Sequence, residues 1–559
     1  MQQSFIALLI QLSVIVTAPL HFIDDVYANS NSTRNAIDNT SALKYNSPAG
    51  VYGDAKIEGS IGEPSNLIPP LSNDSASSQV TARLFIGLVR YNKNLQIEPY
   101  AAESYEILDD GLRLRFKMRK GLKWMDGQPL TADDVEFTYK LMTDPDTPTA
   151  YAGDYLRVKE FKKIDALTIE VLYDKPYTRA LISWMTSILP KHALEGEDLA
   201  TTPQRRNPVA SGPFRLKSWE PGSRVTLVAN ENYFKGRPFL DGLVLRVIPD
   251  LATMFMELRA GKLDSMGLTP QQYVYQTGSR EFKDNYKVYR DLSLGYTFMG
   301  YNLKSPLFSD VRVRRAFAHA INKEDIISGV LFEQGIPTVG PYIPGTWVYN
   351  DKIKPYSYDM DEAARLLAEA GWIKDKNGLL TKGGQRFEFT ILVNQGNEQR
   401  TKIAVIVQSQ LKKLGITAKV RTVEWAAFVN EFLNKGFFDA LILGWSTTLD
   451  PDLHSVWHSD NAFDGGLNFV RYKNEEVDAL IEEGRSTFDQ EIQKRCYDRI
   501  QEILHEEQPY AFLYVPYALP AVHKRFRGLE AVPIMGVDHN LPEWWVPENE
   551  QIYRNLLKP

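Results

Sequence analysis

Residues 443–452 read Leu443-Gly444-Trp445-Ser446-Thr447-Thr448-Leu449-Asp450-Pro451-Asp452, and they follow a short apolar run at residues 437–442. A run of that length and composition predicts a buried strand. The composition then changes at once to glycine, tryptophan, hydroxyls and carboxylates, which predicts that the strand ends there and a loop begins. An alternative interpretation is that Trp445 belongs to the core and that Asp450 caps the next helix.

The residues before this segment alternate between strand and helix patterns. The predicted strands lie at 387–393 and 416–423, and the predicted helices at 401–414 and 425–435. Such alternation is typical of a parallel sheet covered by helices. Because ligands of open parallel sheets bind outside the carboxyl ends of the strands, we expect residues 445–452 to face a ligand. We expect the same of Asn394, at the end of the earlier strand.

Length and composition set the broad class. A chain of 559 residues has room for roughly three or four domains. The hydrophobic fraction of 43% and the charged fraction of 24% are typical of a soluble globular protein. A net charge of −6 argues against nucleic acid as a partner, since nucleic-acid-binding surfaces are normally basic. The single cysteine, Cys496, cannot form an internal disulfide.

The N-terminal region has the pattern of an export signal. Residues 5–20 form an uncharged apolar run, and Val26-Tyr27-Ala28 resembles a cleavage site. We therefore predict a signal peptide at residues 1–28. Residues 1–4 carry no lysine or arginine, so two alternatives stay open: a start further upstream, or an uncleaved segment that tethers the protein to a membrane. Residues 29–53, rich in Asn, Ser and Thr, predict a flexible linker.

Four ordered motifs identify a family. They are residues 121–124 with 126–135, residues 211–214 with 230–233, Asn302 with 310–316 and 320–323, and Gly444-Trp445 with Asp450-Pro451. In this order they resemble the extracellular solute-binding proteins of the oligopeptide, dipeptide and nickel class, family 5, that serve ABC importers. The resemblance extends from about Lys56 to the C-terminus.

The resemblance implies an α/β fold of the two-lobe periplasmic-binding-protein type, class II and cluster C, with an extra subdomain inserted in lobe one. By analogy, the divisions would be lobe one at 54–91, 206–291 and 512–559, its inserted subdomain at 92–205, and lobe two at 292–511. Two apolar segments, near residues 293–300 and 510–517, would connect the lobes. Such hinged lobes close on a ligand as rigid bodies.

The resemblance also implies how a peptide would be held. In peptide-binding members, a carboxylate three residues after the tryptophan of the Gly-Trp pair binds the ligand's α-ammonium. Here that position is Thr448. Two hypotheses follow: Asp450 takes over the role, or the ligand has no free amino terminus to anchor.

The remaining candidate ligand-binding residues are ring and amide side chains near predicted strand ends, hinges or loops. Each of them has an alternative role in the core or in its own turn. They are Trp445, Trp425, Tyr296, Phe469, Asn394 and Asn66.

We therefore expect an exported, monomeric substrate-binding protein, most simply for oligopeptides, that delivers its ligand to an ABC permease with separate ATPase subunits. The periplasm is the expected location, and no cofactor is expected. A non-peptide ligand, such as a metal chelate, a glycoside or a modified small molecule, is the alternative. A secreted hydrolase is disfavoured because no catalytic motif is present. His454 and His458 are spaced as a metal pair, but the sequence offers no third ligand beside them.

Overall fold

The computed structural model describes residues 50–72, 74–532, 535–554 and 556–557. The predicted signal peptide, its cleavage site and all but the last four residues of the predicted linker lie outside these ranges. Within them, none of the helices combines the length with the apolar composition that a bilayer span requires.

The first sheet contains strands from distant parts of the chain. Their spatial order is Tyr286–Val288, Pro520–His523, Ser265–Gly267, Ala55–Ser60, Gly242–Val247, Arg224–Ala229 and Phe214–Glu220. Helices Ser75–Leu84, Leu251–Arg259, Pro270–Gln276 and Arg280–Asn285 accompany it. Each of these helices begins after an Asp, Ser or Thr whose side chain accepts a hydrogen bond from a first-turn backbone N–H.

A smaller antiparallel sheet lies within the segment predicted as an inserted subdomain. Its strands run in the order Ala102–Leu108, Arg113–Met118, Thr168–Tyr173 and Val158–Lys163. A hairpin of Val89–Tyr91 and Ile97–Pro99 precedes it, and helices Ala132–Thr143 and Lys191–Leu194 accompany it. The alternating burial of residues 113–118 and 168–173 shows one apolar face per strand. That face shares a continuous hydrophobic core with the first sheet.

The second sheet is mixed. Its strands run in the order Asp291–Leu292, Tyr510–Ala518, Gly295–Tyr301, Ala440–Ser446, Glu388–Asn394 and Thr417–Val423, and Gly335–Pro337 adds to residues 510–518. Residues 388–394 pair in parallel with both 417–423 and 440–446. The predicted βαβαβ arrangement is therefore confirmed.

Helices surround the second sheet. They are Val311–Ala320, Lys323–Gly329, Met360–Glu369, Glu398–Lys412, Trp425–Ala427 with its π-helical continuation Phe428–Leu433, His454–Trp457, Glu475–Arg485 and Gln490–Glu507. A small sheet of Ile373–Lys374, Leu380–Lys382 and Gln385–Arg386 lies beside them. The helix at 398–412, predicted at 401–414, buries Ile403, Val407 and Leu411 along one face.

The predicted end of the strand before Leu443 is wrong. The strand continues through Gly444 and Trp445 to Ser446. Residues 295–301 pair with it over its whole length, from Gly295 opposite Ser446 to Tyr301 opposite Ala440. Because backbone pairing does not require apolar side chains, the change in composition at residue 443 does not end the strand. The loop begins at Thr447.

The chain passes between the two sheets at two places. One is the link between residues 288 and 291, and the other is Leu519, between residues 518 and 520. The segments predicted as connections, residues 293–300 and 510–517, instead lie almost wholly in strands of the second sheet. Their apolar and aromatic side chains suit a sheet interior as well as a hinge, which is why the pattern misled.

Candidate functional site

The loops after the parallel strands of the second sheet lie against the first sheet. A Cβ built on Gly396 would lie 2.0 Å from the carbonyl oxygen of Pro249, and one built on Gly62 would lie 3.0 Å from the Trp425 ring. The carboxyl ends of strands 388–394 and 417–423 therefore border the cleft between the two sheets, as expected for a ligand site in an open sheet.

Trp445 forms part of this border from within its strand. Its side chain is half-buried, and its indole Nε1 donates to the Tyr510 hydroxyl at 3.3 Å. One ring face packs on Phe298 and Phe469, with ring centroids 6.4 and 5.6 Å away. The ring is thus fixed by the core on one side and partly exposed on the other. Its role in ligand binding stays a prediction.

The other two ring candidates near Trp445 are fully packed. Tyr296 is 3% exposed and Phe469 is 1% exposed. The Tyr296 ring centroid lies 5.6 Å from that of Phe512. In this conformation both rings support Trp445 and the strands from beneath.

Two further candidates lie in loops. Trp425 is half-buried, and its ring stacks on Phe428 at 6.0 Å while its edge faces Gly62. Asn66 is buried, and its amide bonds within its own loop: Nδ2 donates to the Leu71 carbonyl at 2.9 Å, and Oδ1 accepts from the Ile68 N–H at 2.7 Å. These bonds occupy the amide of Asn66, whereas the Trp425 ring lies against Gly62. The roles of both residues in ligand binding stay predictions.

Asn394 brings in a residue that the sequence analysis missed. Its buried Oδ1 accepts a hydrogen bond from Arg400 Nη1 at 2.8 Å. Arg400 lies in the first turn of helix 398–412, where the helix dipole favours anions over cations. Burial lowers the pKa of the Arg400 guanidinium to about 10, although Tyr514 acts in the opposite direction. An arginine at that helix position was the available signal.

Asp450 lies in a buried ion cluster that joins two parts of the fold. Its carboxylate accepts from Arg179 Nη1 at 2.5 Å, and Arg179 belongs to the segment that carries the small antiparallel sheet. Arg179 also contacts Asp154 at 3.0 Å and Asp452 at 3.4 Å. We call residues 154, 179, 450, 452 and 485 the interlobe ion cluster.

Arg485 completes the interlobe ion cluster. It is fully buried, and it contacts Asp154 at 2.5 Å and Asp452 at 3.1 Å. The Tyr177 hydroxyl accepts from Arg485 Nη2 at 2.7 Å and donates to Asp154 at 2.5 Å. Buried charge pairs therefore hold helix 475–485 against residues 154–179. Removal of one partner from such a pair strongly destabilises the fold, because it leaves a buried charge uncompensated.

The cluster contains three carboxylates and two guanidiniums, so its formal charge is −1 when all five groups are ionised. Burial raises the pKa of Asp154, but Arg179 and Arg485 outweigh burial and hold it at about 2. For Asp452, burial prevails over the same two arginines and raises its pKa. With all five groups ionised, the cluster holds one negative charge more than its own cations neutralise.

Thr448 lies beside this cluster on the exposed loop. Its hydroxyl donates to the Asp450 carbonyl at 3.1 Å. The Arg179–Asp450 pair spans 271 residues of sequence, so no local pattern could have predicted it. The hypothesis that Asp450 replaces the acid missing at Thr448 stays a prediction, now with Arg179 as a defined partner.

The histidine pair does have a third potential ligand in space. Glu482 Oε1 lies 3.8 Å from His454 Nε2, and His458 lies within the same group. However, Arg157 pairs with Glu482, and Arg485 lies 3.4 Å from the same carboxylate. Burial, followed by Arg485, lowers the pKa of His454 to about 2. Two guanidiniums thus compete with any cation for this carboxylate. The expectation of no bound metal stays a prediction.

Comparison with known proteins gives a consistent result. The model of the bacterial extracellular solute-binding proteins, family 5, matches residues 96–465. The oligopeptide-binding protein AppA of Bacillus subtilis is 37% identical over 523 residues, which cover 91% of this chain and 94% of AppA. The heme-binding protein A of Haemophilus influenzae is 31% identical, over 86% of this chain and 89% of that protein.

A solved structure agrees over the same length. The Bacillus subtilis AppA structure in complex with a nonapeptide superimposes with a TM-score of 0.85 at 35% sequence identity. The match covers 89% of this chain and all of the AppA chain. The two-lobe fold that the motifs implied is therefore confirmed.

Proposed function

The chain belongs to family 5 of the bacterial extracellular solute-binding proteins, and from that premise we propose that it captures oligopeptides for an ABC importer. The observation that carries the proposal is the likeness to AppA over nearly the full length of both chains, in sequence and in structure. The relatives named above are binding proteins and not enzymes, so the proposed mechanism contains no chemical step.

Capture takes place between two lobes that the sheets define. We retain the division into lobe one at 54–91, 206–291 and 512–559, its subdomain at 92–205, and lobe two at 292–511. We propose one adjustment, in which residues 512–518 belong to lobe two, because the strand at 510–518 pairs within the second sheet. Ligand binds better to the closed arrangement than to the open one and shifts the population towards closure.

The polar groups at the cleft suit a peptide. Backbone pairing with strand-like protein segments is independent of peptide sequence, which allows a broad range of ligands. The surplus negative charge of the interlobe ion cluster suits an α-ammonium, since a charge-assisted hydrogen bond is roughly twice as strong as a neutral one. We propose that Asp450 and Asp452 share this role in place of an acid at Thr448.

Partners and location follow from the family. Its members are extracellular, and we propose that this protein acts in the periplasm as a monomer and delivers ligand to a permease with separate ATPase subunits. A signal peptide at residues 1–28 would export it.

A non-peptide ligand is the second candidate. Thr448 in place of the amino-terminus-binding acid favours it, as does the similarity to a heme-binding protein. A peptide ligand and a non-peptide ligand predict different results when peptides and haemin are each titrated into the protein.

The test uses the full chain after its bound ligand has been removed by unfolding and refolding. We expect calorimetric titration with a nonapeptide mixture to show saturable binding. Thermal unfolding in the presence of the mixture should show a raised Tm, because a ligand that binds the native state stabilises it. Haemin should leave the Tm unchanged. Saturable binding of haemin without binding of any peptide would overturn the peptide proposal and retain the family assignment.

A further inference from the structure

We propose that Arg400 is a carboxylate-binding residue of the cleft and holds the C-terminal carboxylate or an acidic side chain of the bound ligand. The inference rests on the proposed peptide function and deepens it, because it assigns a binding group to the anionic end of the peptide.

The positive charge of Arg400 is not balanced by an acid among the described residues. Within the part of the chain that the structure describes, no carboxylate lies in ion-pair distance of its guanidinium, which donates one hydrogen bond, to the Asn394 amide. Three buried arginines are paired with at least two acids each: Arg83 with Glu58 and Asp538, Arg485 with Asp154 and Asp452, and Arg525 with Asp54 and Asp264. A fourth, Arg471, is paired with Asp464.

Arg314 shows what a buried arginine without an acid looks like when its role is structural. Its guanidinium donates to three backbone carbonyls, those of Phe308, Ser309 and Glu507, at 2.7–3.1 Å. A guanidinium has five N–H donors, and Arg400 has only one amide oxygen to receive them. Arg400 therefore has more donors available for a ligand than Arg314 has.

Arg400 lies close to the place where the second sheet meets the first. Arg400 follows the strand end at Asn394 and the Gly396 loop, which abuts Pro249 of the opposite sheet. A Cβ built on Gly444 would lie 3.6 Å from Arg400 Nη2, so the glycine leaves room beside the guanidinium. The side chain is half-buried. The guanidinium thus lies between the strand end at Asn394 and Gly444 of the neighbouring strand.

Leaving the Arg400 guanidinium without an acidic partner costs free energy. Burial lowers the pKa of Arg400, which means that the surroundings disfavour its charged form. A carboxylate is the natural partner, because it accepts two parallel N–H donors from a guanidinium. A ligand carboxylate would therefore restore the charge balance of the site.

The two loops that border the cleft carry surplus charges of opposite sign. The loop after strand 440–446 carries Asp450 and Asp452 of a cluster with one surplus negative charge, whereas the loop after strand 388–394 leads to Arg400 with a surplus positive charge. A zwitterionic chain that extends between the two loops would neutralise both. A free peptide has this charge distribution, with its ammonium at one end and its carboxylate at the other.

The test compares three forms of the ligand-free full chain: wild type, Arg400→Gln and Lys412→Gln. Lys412 is exposed at the far end of the same helix, so its variant matches the change in charge without touching the cleft. The probes are nonapeptide mixtures of three kinds: with a free C-terminal carboxylate and no acidic residues, with a C-terminal amide, and with a C-terminal amide plus one glutamate. Retained peptides are quantified by mass spectrometry and titrated individually.

We expect wild type and Lys412→Gln to prefer the free acid over the amide at least tenfold, and Arg400→Gln to lose that preference. If the glutamate-containing amides bind as tightly as the free acids, the partner is an acidic side chain and not the terminus. Equal binding of all three mixtures by wild type would overturn the Arg400 proposal while the peptide function stands.

Thermal unfolding of the ligand-free forms provides a second readout that does not depend on peptide binding. If Arg400 serves ligand, its unpaired charge contributes nothing to the fold, and Arg400→Gln should have an unchanged or higher Tm. A Tm several degrees below that of Lys412→Gln would assign Arg400 a structural role and overturn the proposal. Failure of wild type to bind any of the peptides would contradict the proposed function, and the Tm comparison would still test Arg400.

Discussion

Asp450 is part of a buried ion cluster of the fold, and we propose that it also binds the ligand. Its carboxylate pairs with Arg179, yet the cluster around it retains a surplus negative charge. A ligand ammonium that supplies the missing positive charge would gain a charge-assisted hydrogen bond in a site that largely excludes water.

We predict that Asp450→Asn reduces the preference for a free amino terminus over an acetylated one, from at least tenfold to near parity. The reason is that replacing the Asp450 carboxylate by an amide leaves two carboxylates and two guanidiniums in the interlobe ion cluster. The surplus negative charge then disappears. Titration of free and N-acetylated forms of one nonapeptide measures this. Asp460→Asn is the control, since the Asp460 side chain is 83% exposed. An undiminished preference in Asp450→Asn would exclude this carboxylate as the anchor.

The pH dependence of peptide binding should reflect Asp452. Its pKa is raised by burial, so on acidification it takes up a proton before an ordinary aspartate does. Protonation cancels the surplus charge, and affinity for a free amino terminus should therefore fall as the pH drops through this raised pKa. The N-acetylated peptide should show no such fall, and Asp452→Asn should abolish it. Parallel pH profiles for both peptides would contradict the assignment.

At the scale of elements, the loop from Asn394 to the start of helix 398–412 packs its backbone against that of Pro249, which follows a strand of the first sheet. Gly396 has a φ of +80°, and its Cα faces the Pro249 carbonyl with no room for a side chain. Backbone atoms on both sides cannot move away as a flexible side chain could. We therefore expect closure of the cleft to depend on a glycine at this position.

We predict that Gly396→Ala weakens peptide binding at least tenfold by obstructing closure. Gly378→Ala is a matched control, because Gly378 has a φ of +77° with no heavy atom within 4 Å of a built Cβ. Both variants should lose about 1–2 kcal/mol of unfolding free energy from the left-handed backbone, measured by denaturant titration. Only Gly396→Ala should lose affinity, and an equal loss in both would show that strain, not contact, is responsible.

The elements also show where sequence reasoning succeeds. The strands at 388–394 and 417–423 and the helix at 398–412 have local apolar periodicity, and all three were predicted to within a few residues. The strand at 440–446 was predicted too short, because its last residues are held by pairing with residues 295–301. That partner lies more than a hundred residues away, and a local pattern does not contain it.

The candidate site was less predictable than the fold for the same reason. The sequence identified Trp445, Asp450 and Asn394, but the partners that define their chemistry, Tyr510, Arg179 and Arg400, came from the structure. Asn394 and Arg400 are close in sequence, yet no pattern indicates that the guanidinium turns back to the strand end. Contacts between distant side chains, and not periodicity, determine the electrostatics of the site.

At the scale of the whole molecule, two connections join the first and second sheets, and several sets of contacts bring the lobes together. The connections are residues 289–290 and Leu519, and the contacts include those at Gly396, at Trp425 and at the interlobe ion cluster. These contacts surround the carboxyl ends of the second sheet's parallel strands. The arrangement is that of a clamp whose closure buries what lies between its lobes.

The central claim is that this clamp holds oligopeptides. The most direct measurement is native mass spectrometry of the protein as purified, followed by denaturation and identification of the released molecules. We expect the released molecules to be a set of short peptides of mixed sequence with free amino and carboxyl termini. A single non-peptide mass would contradict the claim.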